Sequence, residues 1–137
     1  MSISARQIML VQESFAKVAP ISEKAAEIFY KRLFEYDPAL KPLFKSGIKA
    51  QGKMLMSALT MSVDSLSNLN ALIPELEKLA QRHVKYGVKP EDYTPVGNAL
   101  LYTLKQGLGD DFTPEVRKAW VDTFRLMATV MKKHAYG

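Results

Sequence analysis

Leu72-Ile73-Pro74-Glu75-Leu76-Glu77-Lys78-Leu79-Ala80-Gln81-Arg82-His83-Val84-Lys85-Tyr86-Gly87 is the stretch that decides the fold. Leu72, Leu76, Leu79 and His83 follow one another at spacings of four, three and four, the repeat of one side of an α-helix. Whatever buries the leucines therefore also buries the imidazole. His83 is one of only two histidines in the chain, His134 being the other. A buried imidazole must hydrogen-bond or bind a metal to offset its lost hydration. Gly87 closes the helix as a left-handed C-cap.

Outward from this stretch, every segment reads as helix. Towards the N-terminus, Ser4-Ala5-Arg6-Gln7 is a capping box, followed by the stripe Ile8, Val11, Phe15, Val18. Pro20 breaks that helix and Ser22 is positioned to cap the next, whose buried face is Ala25, Phe29 and Leu33 with Tyr30 beside them. Asp37-Pro38 stops it and starts a short turn through Leu43 and Phe44. After a loop at Ser46-Gly47, a helix from about Ala50 to Leu66 carries Gln51, Leu55, Leu59, Ser62 and Leu66 on one side, and the polar Asn68–Asn70 region ends it.

Towards the C-terminus, Pro90 and Glu91 begin a helix lined by Tyr93, Val96, Leu100, Leu104 and Leu108, weakened at its end by Gly107 and Gly109. Thr113 as N-cap and Pro114 at the first helical position restart the chain, and Val116, Trp120, Phe124, Met127 and Met131 form the last stripe. No repeat, alternating strand pattern or glycine-rich phosphate loop interrupts this. The reading is one all-α domain of about seven helices.

Composition narrows the function. The chain is 47% hydrophobic and 24% charged over 137 residues, which is ordinary for a single globular domain. It has no cysteine, so disulfide scaffolds, zinc fingers, iron–sulfur sites and thiol catalysis are excluded. Arg6, Gln7, Gln12 and Glu13 interrupt the first fifteen residues, and no apolar run reaches signal or membrane-spanning length. The expectation is a cytoplasmic protein with no membrane partner. The net charge is +5, but Lys17, Lys31, Lys41, Lys45, Lys49, Lys53, Lys132 and Lys133 read as a scattered solvated surface, with no nucleic acid expected.

No nucleophile turn marks a Ser–His–acid triad. Glu75 and Glu77, or Asp110 and Asp111, sit at exposed or helix-edge positions, and His83 and His134 lie on different helices without an acidic cluster for zinc. One buried histidine suffices for a metal only when a cofactor supplies the other ligands, as haem does. The remaining need is a flat apolar slot, with leucines of the His83 face on one side and Phe44, Leu55 and Leu59 on the other. By pattern alone, a haem-ligating His83 and a hydrogen-bonded core histidine are equally good readings, and Phe44 reads equally as an ordinary core aromatic.

The whole chain resembles a globin. Pro38, followed six residues later by Phe44, resembles the family's proline in the short third helix and its haem-packing phenylalanine. Arg82-His83-Val84-Lys85-Tyr86-Gly87-Val88 resembles the stretch around the proximal histidine, and Lys118-Ala119-Trp120 the tryptophan-bearing start of the last helix. The resemblance implies a single globin domain over 1–137, with haem b (iron protoporphyrin IX) as cofactor and His83 as the iron ligand. Tyr30, eight residues before Pro38, and Gln51, seven after Phe44, fall where globins face the distal ligand. This pair, with Leu55 one turn on, is similar to bacterial single-domain haemoglobins and the haem domains of flavohaemoglobins. Vertebrate oxygen carriers normally place histidine at the glutamine position.

The same resemblance implies that Phe44, Met54, Leu55, Leu79, Val88 and Val96 contact the haem, with Lys53, Arg82 and Lys85 near its propionates. Tyr93, ten residues after His83, matches a flavohaemoglobin tyrosine that orients a glutamate of the last helix. Here the chain departs from the pattern, because the aligned position, fifteen after Trp120, is Ala135. The imidazole is then expected to donate to a backbone carbonyl, leaving little push for O–O cleavage.

The implied function is reversible O2 binding at ferrous iron, with Tyr30 and Gln51 donating to the ligand; each bond is worth about 1–3 kcal/mol. For Tyr30 the competing reading is a core tyrosine whose hydroxyl points at a carbonyl. A second function is nitric oxide dioxygenase, with NO and O2 giving nitrate. Flavin and nicotinamide domains are absent from these residues, so that reading needs a separate reductase as partner. A gas-sensor role is the least supported. The expected assembly is a monomer or weak homodimer.

Overall fold

Ser4 opens the first helix as its capping box requires: its hydroxyl accepts from the Gln7 amide at 3.1 Å, and the Gln7 side chain accepts from the Ser4 amide at 3.0 Å. The helix it heads, α1, spans Ala5–Val18. In this computed structural model residues 3–43 and 47–137 are described, the side chain of Ile48 excepted, so the Phe44 assignment lies outside the described residues. Along the chain follow α2 (Ser22–Tyr36), α3 (Ile48–Asp64), α4 (Leu69–Lys85), α5 (Tyr93–Leu108) and α6 (Pro114–Tyr136). Short 3₁₀ segments join several of them, and no strand occurs among the described residues. Among the described residues six α-helices thus stand where the pattern suggested about seven, the short turn at Pro38–Leu43 being 3₁₀ rather than α.

Two boundaries differ from the sequence reading for local reasons. Ser22 does not cap α2, because the 3₁₀ turn Ala19–Ile21 leads directly into it and leaves Ser22 already helical, at φ −58° and ψ −38°. The Asn68–Asn70 region starts a helix rather than ending one. The Asn68 side chain accepts from the Ala71 amide, which lets α4 begin at Leu69, three residues before the leucine stripe. Gly87 takes φ +91°, the left-handed C-cap expected of it. Thr113 caps α6 through the Val116 amide at 3.2 Å, with Pro114 at the first position.

Packing arranges the helices around α2 and α6. α5 and α3 both lie against α2, while α4 and α1 lie against α6. The consecutive helices α3 and α4 therefore have different principal partners. Trp120 is fully buried between α6 and α1; its indole N–H donates to Ser14 Oγ at 2.8 Å, which in turn donates to the Leu10 carbonyl at 2.7 Å. Two glycines permit the closest crossings. A Cβ on Gly97 would lie 2.7 Å from a Phe124 ring carbon, so α5 and α6 approach only because that atom is missing. A Cβ on Gly52 would stand 2.9 Å from Ala26 Cβ, and this draws α3 onto α2.

Candidate cofactor site

His83 lies in the last turn of α4, one turn after Leu79. Its Nδ1 is 2.7 Å from the Leu79 carbonyl oxygen. A carbonyl can only accept, so Nδ1 carries the proton and Nε2 presents a bare lone pair. Burial lowers the His83 pKa; the Leu79 carbonyl opposes that shift and the Arg82 charge adds to it. The ring is thus held neutral and rotationally fixed by a bond inside its own helix. The backbone-carbonyl partner expected in place of a carboxylate is present.

Tyr93, the first residue of α5, packs beside this imidazole with ring centroids 6.3 Å apart. It is 7% exposed, and its hydroxyl has no hydrogen-bond partner among the described residues. Burial, with a smaller contribution from Tyr136, pushes its pKa up to about 12. The end of α6 covers this side. Lys132 Nζ lies 5.6 Å from the Tyr93 ring centroid, and the Tyr136 hydroxyl donates to the Val88 carbonyl. The Tyr93 phenol thus lies beside a lysine, with no partner for its hydroxyl among the described residues.

On the opposing element pair, Tyr30 is buried in α2 and its hydroxyl donates to the Gln51 backbone carbonyl at 3.2 Å. That is the arrangement of the competing reading for Tyr30, a hydroxyl pointed at a carbonyl. Burial pushes its pKa up to about 12, so the hydroxyl stays protonated. Phe34, one turn along α2, stacks on Tyr30 at 6.0 Å. The Ala26–Gly52 crossing produces the contact: Gly52 neighbours Gln51, and Ala26 sits one turn before Tyr30.

Leu55, Leu79, Val88 and Val96 pack against the core yet stay only half-buried, as does Leu59. Large apolar side chains left in that state from α3, α4, α5 and the loop between the last two suit a flat apolar ligand. Met54 is 48% exposed, and Lys53, Arg82 and Lys85 are exposed without an ion-pair partner among the described residues. Among those residues no group of three or more His, Asp or Glu gathers where a metal ion could be held, and no helix is long and apolar enough to cross a membrane. Sequence reasoning missed the Phe34 stack, the Tyr136 tether and the Ala26–Gly52 crossing. Only a glycine inside a helix hinted at the last of these.

An all-α fold with an oriented imidazole on one helix pair and a tyrosine–glutamine contact on the other is the globin class of architecture. The family model described as Globin matches residues 27–131, and the chain belongs to the globin family. It is 33% identical to a flavohemoprotein of Rhodopirellula baltica over 93% of this chain and 32% of that protein. It is likewise 33% identical to a flavohemoprotein of Xylella fastidiosa, over 96% of this chain and 34% of the relative. The chain thus spans about a third of the length of these curated relatives. In fold it matches the crystal structure of a hexacoordinated heme protein from an anhydrobiotic tardigrade, with TM-score 0.90, 15% identity and coverage of 98% and 96%.

Proposed function

We propose that this chain is a haem b globin that binds O2 reversibly. The observation that carries the reading is His83, whose Nδ1 is fixed on the Leu79 carbonyl so that Nε2 would be the atom to hold the iron. Haem iron, when bound, supplies the affinity for O2 and the charge that moves onto it. Everything else falls to the chain. Leu55, Leu59, Leu79, Val88 and Val96 keep the site apolar and dry, which strengthens any hydrogen bond to a polarised ligand. Tyr30 and Gln51 are its donors. The Tyr30 proton must leave the Gln51 carbonyl to reach a ligand, so part of its bond strength is offset by the one given up.

Haem titration of the purified protein tests this. The expected result is uptake of one haem with a Soret band and, after reduction, a reversible oxy spectrum. Failure to take up haem would overturn the reading. Nitric oxide dioxygenase is the second reading, supported by the likeness to flavohemoproteins. Sustained nitrate formation from NO with an added reductase favours it; a single turnover favours the carrier. The carbonyl-bound imidazole, lacking a carboxylate partner, argues against peroxidase chemistry.

A further inference from the structure

His83 and His134 are the chain's only histidines, and the chain has no cysteine. Imidazole is the one side chain that ordinarily changes charge across neutral pH. Once His83 is given to iron, that property rests with His134 alone. It lies in the last turn of α6, and both its ring nitrogens reach across to α4. Nε2 is 3.1 Å from Gln81 Nε2, and Nδ1 is 3.4 Å from Glu77 Oε2. The Gln81 amide N–H can only donate, so Nε2 accepts and Nδ1 carries its proton towards the carboxylate.

Glu77 and Gln81 lie one turn apart, so the imidazole grips a single face of α4. Leu79, whose carbonyl aims the His83 ring, stands two positions after Glu77, and His83 stands two after Gln81. Two positions are about 200° around a helix, which puts the grip on the side of α4 away from the proximal imidazole. A hold there fixes the rotation of α4 about its own axis. Any rotation passes straight to the His83 ring, because the 2.7 Å bond that aims the ring lies within the same helix.

A proton changes both ends of this grip. Nε2–H then meets the Gln81 amide donor to donor, and the contact survives only if the amide turns its oxygen inward. The new charge also draws the Glu77 carboxylate. Lys78, beside Glu77, is held by Glu75 at 3.3 Å. On α6, Lys133 adjoins His134 and Lys132 lies over the Tyr93 ring. Arg82, next after Gln81, bears on His83, and Lys85 is exposed one turn beyond Gln81. Ahead of α5, Glu91 and Asp92 act on Tyr136, two residues after His134. The ion pair between α1 and α6, Arg6 with Glu115, is at the far end of α6. Glu77 is thus the one carboxylate in ion-pair reach of His134 among the described residues.

Resting on the haem reading, we propose that His134 is a positioning residue for the proximal imidazole, acting through Glu77 and Gln81. Its protonation resets α4 and with it the hold on O2.

The haem-loaded ferrous protein tests this between about pH 5.5 and 8.5. O2 release should change about two- to fivefold over that range, the size an exposed ion pair supplies, and the iron–histidine vibration should move with it. His134→Gln should hold both readings at the alkaline value at every pH, and His134→Lys at the acid value. A merely structural role would shift the two variants the same way, and that result would overturn the proposal. So would a pH response that survives in His134→Gln. Glu77→Gln keeps the imidazole but leaves its charge no carboxylate to draw, so the response should fall below about 1.5-fold. That variant decides the question if the His134 variants melt early, an undiminished response being the contrary result. In the haem-free protein the two histidine ring signals are followed by NMR. The His83 signal should show a step where His134 titrates, lost in Glu77→Gln; no step would overturn the proposal. Absence of haem uptake would sink the haem reading instead, leaving the NMR arm to judge the grip on α4.

Discussion

His83 and Tyr30 are both aromatic groups with a hydrogen bond to a backbone carbonyl, yet the two bonds are set in opposite ways. The imidazole is aimed by the carbonyl four residues back in its own helix, at 2.7 Å. The phenol is aimed by a residue twenty-one positions away on another helix, at 3.2 Å, and only because Gly52 lets that helix come close. The first orientation is a local property of α4 and persists wherever α4 forms. The second belongs to a crossing and changes whenever the crossing does. In the proposed haem site the imidazole is then held rigidly while the Tyr30 side responds to small shifts in packing.

Removing the anchor has the largest effect. His83→Ala should reduce haem retention by more than the roughly 10–100-fold typical of losing a mere outer partner of a metal ligand. Loss of the Soret band on desalting would show it, and retention equal to wild type would mean that another residue binds the iron. Because α4 is stabilised by its leucine stripe, the variant's helix content should stay unchanged by circular dichroism.

The crossing is the next place to strike. Gly52→Ala places a Cβ 2.9 Å from Ala26 Cβ and should cost about 1–3 kcal/mol, less up to about 1 kcal/mol returned by the better helix former. Ala26→Gly added to it should restore much of the loss, as read from urea midpoints. No recovery would mean that the strain lies elsewhere. The same single variant should alter O2 release while leaving the proximal iron–histidine vibration in place, since His83 does not depend on this contact.

What could be read from the sequence follows the same division. The leucine stripe of α4, the Gly87 cap, the capping box at Ser4 and the Thr113-Pro114 start are set by neighbours within a few residues, so their chemistry lies in the string itself. The expectation that the His83 imidazole would turn to a backbone carbonyl came instead from the family resemblance, through the missing glutamate at Ala135, and the Leu79 carbonyl meets it. Asn68 was misassigned because a polar run looks alike whether it ends one helix or caps the next. Ser22 failed as a cap because a 3₁₀ turn already places it in helical geometry, where an N-cap must be extended. The Tyr30 contact was out of reach, because it depends on how closely α2 and α3 cross, and a lone glycine within a helix does not say which helix it meets.

Tyr30→Phe tests the distal side alone. If the hydroxyl moves from Gln51 to bound O2, release should be about tenfold faster, the equivalent of one hydrogen bond of about 1.4 kcal/mol. An unchanged off-rate with a lowered melting temperature would assign the Tyr30 hydroxyl to packing and not to the ligand.

The smallest expected effect separates the two sides by pH in the haem-free protein. Burial lowers the His83 pKa, so above the unfolded value of about 6.5 the ring is neutral in both states and contributes no pH dependence. As the pH falls below that value the unfolded chain takes up a proton that the folded chain resists, so stability declines until the folded pKa is reached. Asp122 and Glu115, depressed by Lys118 and Arg6 respectively, lose their contributions further down, below the ordinary carboxylate range. Tyr30 behaves in the opposite sense. Its pKa is raised to about 12, so its contribution is complete below the ordinary phenol value of about 10 and is lost as the pH climbs towards 12. Urea midpoints across pH should therefore flatten just below 6.5 in His83→Leu and above 10 in Tyr30→Phe. The alkaline flattening should be partial, because Tyr93, also pushed to about 12, still titrates beside His83. If both limbs were unchanged by either variant, neither ring would be buried as described, and the contrast between a locally aimed imidazole and a packing-aimed phenol would fall.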